Sequence, residues 1–372
     1  MANIFDYLSW RGDISFAQSP FNPVDNIIFC QLSYLPLDGI VPGPQEKNGI
    51  TIARAADIFA ERLRDDASPR RPATMFKDDP AFLSALGSSN RFRNCELRGY
   101  VDQIDVAVEK QFSALCVTGC ADGCFIVYRG TDANFVGWKE DFNMCFSDAV
   151  PAQLEAVSYL EKMAGIIKGP LLLCGHSKGG NLAVYAAAFC GEKLRPRIVG
   201  IYSNDAPGFQ KRVIESEGYQ AVRERIRSFI PQSSVVGMLL EHGTGYSVIK
   251  SSQSGLMQHD LYSWEVTYND FVHVDRVTQS SLFIDKTLRE WINNLDYDSR
   301  ERFIEALYTI LNSAQVKSIP ELTGDWFKAA VRMIQSLGNI DESTKTLIGN
   351  TLTALFQAAR KNIDTLLKPP VE

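Results

Sequence analysis

The chain has 372 residues, a net charge of −6 and 22% charged residues. That length admits one large or two modest domains, and the acidic balance argues against nucleic-acid binding. The start, Met1 to Asp6, lacks the basic and apolar regions of a signal peptide, and no apolar run approaches bilayer length, so a cytoplasmic protein without an integral membrane segment is expected.

The eight cysteines are scattered among apolar neighbours, as buried free thiols of a reducing compartment would be. Cys116, Cys120 and Cys124 recur every fourth residue, but no nearby histidine completes a zinc set. They are read as packing residues, and no metal is expected. The run Arg223-Glu224-Arg225-Ile226-Arg227 reads as a solvated helix face.

Residues 1–110 are mixed. Asp25 to Tyr34 carries apolar residues at helical spacing, and Pro36 to Gly49 is a Pro- and Gly-rich loop. Thr51–Arg64 reads as an amphipathic helix with Ile52, Ala55, Ala56, Phe59 and Leu63 on one face. Asp79–Leu86 looks like another helix, closed by Gly87. Residues 97–108 alternate as a strand does.

From residue 112 to about 275, strands alternate with helices, which implies an α/β fold with a largely parallel sheet. A hairpin pairs Ala114–Gly119 with Cys124–Arg129 around a turn at Ala121-Asp122-Gly123. Pro151–Ile167 reads as a helix, stopped by Gly169-Pro170.

The most informative stretch follows, from Leu171 to Ala183. An apolar run breaks into Gly175-His176-Ser177-Lys178-Gly179 and continues as a helix rich in Gly and Ala. In that strand–turn–helix setting a G-x-S-x-G pattern lifts its serine onto a sharp turn above a sheet. Ser177 is the candidate nucleophile, and the Lys178 amide at the helix start can face a developing oxyanion. Small residues at 180, 183, 186 and 187 let the helix sit close to the sheet.

Arg197–Ser203 is the next strand and Gly208–Arg223 the next helix. Ile226–Ile230 and Tyr246–Lys250 are the last two strands. Beyond about residue 276 the pattern is helical throughout, over Leu282–Leu295, Ser299–Asn312, Pro320–Leu337 and Ser343–Leu367. The expected organisation is therefore an α/β unit over 1–275 and a helical extension or cap over 276–372.

A serine nucleophile needs a base, and the base an orienting acid. The chain has four histidines. His176 precedes Ser177 directly and cannot bend back to it. His259 lies in the loop after the last predicted strand, where such a base is normally delivered. His242, before that strand, is the runner-up, and His273 looks structural among apolar neighbours.

Asp205 ends the strand after the elbow helix and could reach a histidine on the last loop. It could instead cap the following helix, with Asp260 as another possible acid. The second oxyanion donor is expected from the amide or hydroxyl of Thr131, in the loop that follows the hairpin. Trp138, Glu140 and Asp141 look like a helix start that braces this loop.

The segment Phe125-Ile126-Val127-Tyr128-Arg129-Gly130-Thr131-Asp132, with Trp138 and Asp141, resembles the strand, R-G-T/S loop and W-x-x-D segment of class 3 (fungal-type) lipases. The stretches Gly175 to Ala183, Asn204 to Phe209, Ile230 to Leu239 and Gln258 to Trp264 are similar to a bacterial family of unknown function related to those lipases. Gln31 to Leu35 fits the family's N-terminal part. The resemblance covers about residues 20–270.

It implies an α/β-hydrolase fold with Ser177 as nucleophile, His259 as base and Thr131 in the oxyanion hole. One departure stands out. The lipases carry their acid after the strand that is here Ile226–Ile230, where this chain has Gln232-Ser233-Ser234. Asp205 is therefore a substitute drawn from this sequence rather than a carry-over.

The combined expectation is a serine hydrolase that cleaves a carboxylic ester or related acyl bond of a small molecule or lipid, without a cofactor. A thioesterase, amidase or peptidase on the same residues is the first rival. A non-catalytic binding module on the same fold is the second.

Overall fold

The computed structural model describes residues 1–65, 74–121, 123–132, 134–294, 302 and 342–363. The expected helices Ser299–Asn312 and Pro320–Leu337 lie outside these residues except for Arg302, as does Asp122 of the hairpin turn.

An eight-stranded mixed sheet organises the fold, with its strands side by side in chain order. They are β1 (Ile50–Thr51), β2 (Glu96–Asp105), β3 (Lys110–Ala121), β4 (Gly123–Tyr128), β5 (Leu171–His176), β6 (Ile198–Asn204), β7 (Ile226–Pro231) and β8 (Tyr246–Ile249). The pairs from β1 to β4 are antiparallel. Those from β4 to β8 are parallel. A two-stranded ribbon, β9 (Val266–Thr267) and β10 (Asp270–Phe271), lies apart from the sheet.

Alternation along the strands divides two cores. Leu115, Val117, Phe125, Val127 and Cys174 point to one face, while Phe112, Ala114, Cys116, Ile126 and Leu173 point to the other. The first face is covered by the N-terminal helices α1 (Ile4–Arg11), α2 (Pro23–Leu32), α3 (Ile52–Arg64) and α4 (Asp79–Ser88). Helix α3 buries the apolar stripe that its 3.6-residue period creates, whereas α2 is buried all round from Val24 to Leu32. Thr51 caps α3 by accepting the Arg54 N–H at 3.3 Å. Asn22 and Asp25 form a capping box on α2, with Pro23 at the first helical position.

Gly87 does not end α4 but lies inside it. A Cβ there would stand 2.7 Å from the Ala56 side chain, so this glycine marks where α3 and α4 pack most closely.

After α5 (Phe135–Asn143), the second face is covered by α6 (Pro151–Ile166) and α7 (Lys178–Phe189). The stretch expected as one helix over 208–223 is two short pieces, α8 (Lys211–Ile214) and α9 (Glu217–Val222). Ser216 takes an extended conformation between them and caps the second by accepting the Tyr219 N–H. A serine that can serve the backbone locally favours such a break.

Cys116 and Cys124 lie in the α6/α7 core, whereas Cys120 packs against the N-terminal core. The sheet thus separates Cys120 from the other two thiols. All eight cysteines are free.

Helix α10 (Gln279–Asn294) follows the ribbon, with Leu282 packed on the small cluster of Ile230, Met238, Val248 and Val277. The helix Glu342–Asn362 pairs with α10, and Trp291 Nε1–H donates to Thr351 O at 2.9 Å. Among the described residues no helix is long and apolar enough to cross a membrane.

Candidate active site

In parallel sheets the loops that bind and react gather at the carboxyl ends of the strands. Here β4 leads to Thr131, β5 to Ser177, β6 to Asp205, β7 to Ser234, and the segment after β8 to His259. The register places Tyr128 beside Gly175, His176 beside Asn204, and Asn204 beside Phe229, so these ends are level.

Ser177 is the residue between β5 and α7, with φ 58° and ψ −136°. A non-glycine residue seldom adopts positive φ, and such strain persists only where the surroundings impose it. Its N–H donates to Asn204 O at 2.9 Å. Asn204 is in turn held by α2, accepting from Asn26 Nδ2 at 2.8 Å, and donates to Gly175 O at 2.9 Å.

Close backbone approach explains the glycines. A Cβ on Gly179 would collide with Tyr128 O, and one on Gly130 would stand 2.7 Å from the Ser177 Cβ and 2.6 Å from His176 O. The loop that carries Thr131 therefore lies directly against the elbow. Lys178 is the first residue of α7, so its N–H has no intrahelical partner and points out of the helix start.

The His259 ring meets Asp205, with Nδ1 to Oδ2 at 2.6 Å. Asp205 is 1% exposed and has φ 43°, in the left-handed region that a non-glycine residue seldom adopts, and the residue before the following short helix is Gln210 rather than Asp205. Its other oxygen accepts from the Ser234 hydroxyl at 2.5 Å and the Gly237 N–H at 3.1 Å. Asp260, the alternative acid, caps its own short turn by accepting the Tyr262 N–H at 3.0 Å.

The remaining histidines separate clearly. His176 is buried, and burial pushes its imidazole well below the usual histidine range. Its Nδ1 faces the Tyr34 hydroxyl at 2.8 Å, and its ring lies 4.3 Å from the His259 ring. Burial also holds the Tyr34 phenol protonated, so the phenol has a proton to donate to Nδ1.

His242 donates from Nε2 to Gly237 O at 2.6 Å, and burial again lowers its pKa. It thus steadies the residue whose amide holds Asp205. His273 was expected among apolar neighbours, but its side chain is 44% exposed and pairs with Asp270 at 3.3 Å. It follows the ribbon at the edge of the fold, where its backbone, not its ring, pairs with Ile249.

Beneath the elbow lies a charged cluster in which the sequence had singled out only some members. The Lys178 side chain is 1% exposed, and its ammonium donates to Glu140 Oε2 at 2.9 Å and to Gln111 O and Oε1 at 2.9 and 2.7 Å. Glu140 is fully buried and also accepts the N–H groups of Gln111 and Ala152 at 3.0 and 2.8 Å. Helix α5 thus holds the turn at Ser177 by a buried ion pair from Glu140 to the residue after that serine.

The Thr131 hydroxyl donates to Asp141 Oδ2 at 2.6 Å. Burial raises the Asp141 carboxyl to about 6, against the opposing pull of Lys178 and the Thr131 hydrogen bond. With its hydroxyl given to Asp141, Thr131 has its amide as its second donor.

Sequence reasoning did not find Tyr34, Gln111, Ser234 or Gly237. Tyr34 and Gln111 are remote in the chain and reach the site only through packing. Ser234 was visible only as one of two serines in Gln232-Ser233-Ser234, where the resemblance implied a carboxylate.

Solved structures similar to this chain share little identity with it. A fungal lipase–inhibitor complex is 12% identical, covers 54% of this chain and 78% of its own, and superposes with a TM-score of 0.34. The native propeptide complex of Rhizomucor miehei lipase is 13% identical, with 59% and 79% covered and a TM-score of 0.33. A deletion mutant of that complex is 15% identical, with 54% and 64% covered and a TM-score of 0.33.

No curated protein sequence matches the chain. A family model, by contrast, matches residues 86–309, well over half of the chain and the whole of the site from Thr131 to His259. By that match, the chain belongs to the Mbeg1-like family.

Proposed function

We propose that this protein is a serine hydrolase that cleaves a carboxylic ester or related acyl bond through an acyl-enzyme. The observations that carry the reading are the strained Ser177 at a strand–helix turn and, at the same end of the sheet, a histidine whose Nδ1 meets a buried carboxylate at 2.6 Å.

In this reading Ser177 attacks the carbonyl and His259 takes its proton. Asp205 holds the imidazole tautomer with hydrogen on Nδ1 and stabilises the imidazolium that forms. The amides of Thr131 and Lys178 receive the oxyanion, the second aided by the α7 dipole. His259 returns the proton to the leaving group, and water then releases the acyl group with His259 again as base.

None of these steps calls for a cofactor. The leaving group is left open, so thioesters and amides are companion substrates to test beside esters. Eight free cysteines fit a reducing compartment, which supports a cytoplasmic location.

A fluorophosphonate probe tests the reading. An activated Ser177 is expected to label, with the modified peptide mapped by mass spectrometry, and Ser177→Ala to lose labelling. The same variant should lose about three orders of magnitude or more in kcat on a short p-nitrophenyl ester while staying folded. Undiminished turnover by folded Ser177→Ala would sink the proposal, and a wild-type serine inert to the probe would favour the binding-module alternative.

A further inference from the structure

The loop after β7, from Gln232 to Gly237, carries no carboxylate, yet it serves the His259–Asp205 pair. Ser234 is 1% exposed and gives its hydroxyl proton to Asp205 Oδ1 at 2.5 Å. Gly237 adds its N–H at 3.1 Å, and the Ser234 oxygen accepts that same N–H at 2.9 Å. Both donors fall on Oδ1, which leaves Oδ2 for His259.

The loop is anchored from the C-terminal side. Ser281 of α10 is also 1% exposed, and its hydroxyl donates to Ser234 O at 2.5 Å. Just before that helix, the Thr278 N–H donates to Gln232 O at 2.7 Å, and the Thr278 hydroxyl meets the Ser233 hydroxyl at 3.1 Å. A continuous line of hydrogen bonds therefore runs from α10 through Ser234 and Asp205 to the His259 ring.

We propose that Ser234 is a positioning residue for Asp205, and that Ser281 of α10 fixes Ser234 in place. The inference rests on the proposed role of the His259–Asp205 pair. It assigns work to the helical C-terminal segment, whose first helix becomes part of the support of the reacting groups.

The physical reason is geometric. A carboxylate can rotate about its Cβ–Cγ bond and present either oxygen, and a buried one needs donors for both. Hydroxyl and amide donors on Oδ1 leave one orientation, the one in which Oδ2 faces Nδ1. A hydrogen bond to a charged acceptor is also stronger than a neutral one.

Ser234→Ala, Ser234→Thr and Ser281→Ala in the full chain test this, with p-nitrophenyl acetate as substrate. Ser234→Ala is expected to lower kcat by about ten-fold or more with KM unchanged, since its effect falls on the reacting pair and not on substrate binding. Ser234→Thr keeps the hydroxyl and should recover most of the loss. Ser281→Ala should lower kcat by about three-fold, with the same split, because the hydroxyl it steadies remains.

A merely structural role would add its cost in any background. Here the effect of Ser234→Ala should vanish when Asp205 is already Ala, because coupled residues are not additive. A folded Ser234→Ala variant with wild-type kcat, an equal loss in the Asp205→Ala background, or no rescue by Thr would overturn the assignment of Ser234. Wild-type kcat in Ser281→Ala would remove α10 from it. Failure of the underlying hydrolase reading appears separately, as turnover that survives Ser177→Ala.

Discussion

Replacing Glu140 by Gln probes the buried cluster under the elbow most directly. Glu140 accepts three hydrogen bonds, from Lys178 Nζ at 2.9 Å, the Gln111 N–H at 3.0 Å and the Ala152 N–H at 2.8 Å. All three partners are donors, so a glutamine must turn its NH2 toward one of them. The change also leaves the Lys178 ammonium, 1% exposed, without its charge partner.

Gln111 still offers Lys178 two oxygens, and the Asp141 carboxylate at 3.8 Å offers partial compensation. Breaking a buried pair by removing one partner costs about 3–5 kcal/mol, and the lower part of that range is expected here. For a unit of this size that is a fall in Tm of roughly 5 °C.

Thermal and urea unfolding followed by circular dichroism measures it. Adding Lys178→Met should recover much of the loss, since the stranded charge is then gone. Esterase activity should fall as well, because α5 carries Asp141 and through it Thr131. A Glu140→Gln protein within 1 kcal/mol of wild type, or a double variant no better than the single, would refute the reasoning.

His259→Ala should remove nearly as much kcat as Ser177→Ala, and the pair together little more than either alone, because they act as a unit. His242→Ala should be far milder, since His242 donates to Gly237 O and lies edge-on to the Tyr246 ring; a dead His242→Ala enzyme would show that the base is misassigned. Asp205→Asn should lower kcat strongly with KM little changed on the same ester, and wild-type kcat in that variant would remove Asp205 from the mechanism.

For Asp141, burial holds the folded pKa at about 6, above the unfolded 3.8. The bound proton therefore contributes stability that is full below the unfolded value and lost as pH rises through about 6. The side chain is 28% exposed, so about 1–2 kcal/mol is a fair size for that loss. Asp141→Asn cannot ionise and should show a flatter stability profile between pH 4 and 7, measured by urea unfolding. Identical slopes in the two proteins would contradict the shift.

Much of the fold was legible along the chain because it depends on local periodicity. The strand–turn–helix at Ser177, the hairpin of β3 and β4, and α3 with its buried Ile52, Ala55 and Phe59 all follow from spacing within about a dozen residues. The Gly-x-Ser-x-Gly pattern located the strained turn, since only glycines tolerate the approach of Tyr128 O and Gly179 O to the elbow. The placement of Asp205 after β6 and of His259 after β8, at the same end of the sheet, followed from chain order in a parallel sheet.

Other features were open until the chain was folded. Gly87 reads as a stop signal, but the approach of Ala56 from another helix makes it an interior contact. The helix expected over 208–223 breaks at Ser216, where a local cap competes with continuation. His273 has apolar neighbours in sequence, yet its place beside the ribbon leaves the ring at the surface.

The sequence by itself determined which residue could be the nucleophile and which face of each element is apolar, because both depend on neighbours along the chain. Only the tertiary structure decided what surrounds Asp205. Ser234, Gly237, His242 and Ser281 lie 29 or more residues from it, and no spacing rule links them. Likewise, the burial of Lys178 against Glu140, 38 residues away, turns a residue read for its amide into half of an ion pair. Long-range hydrogen bonds of this kind form only where packing brings donors to a buried acceptor that must be satisfied.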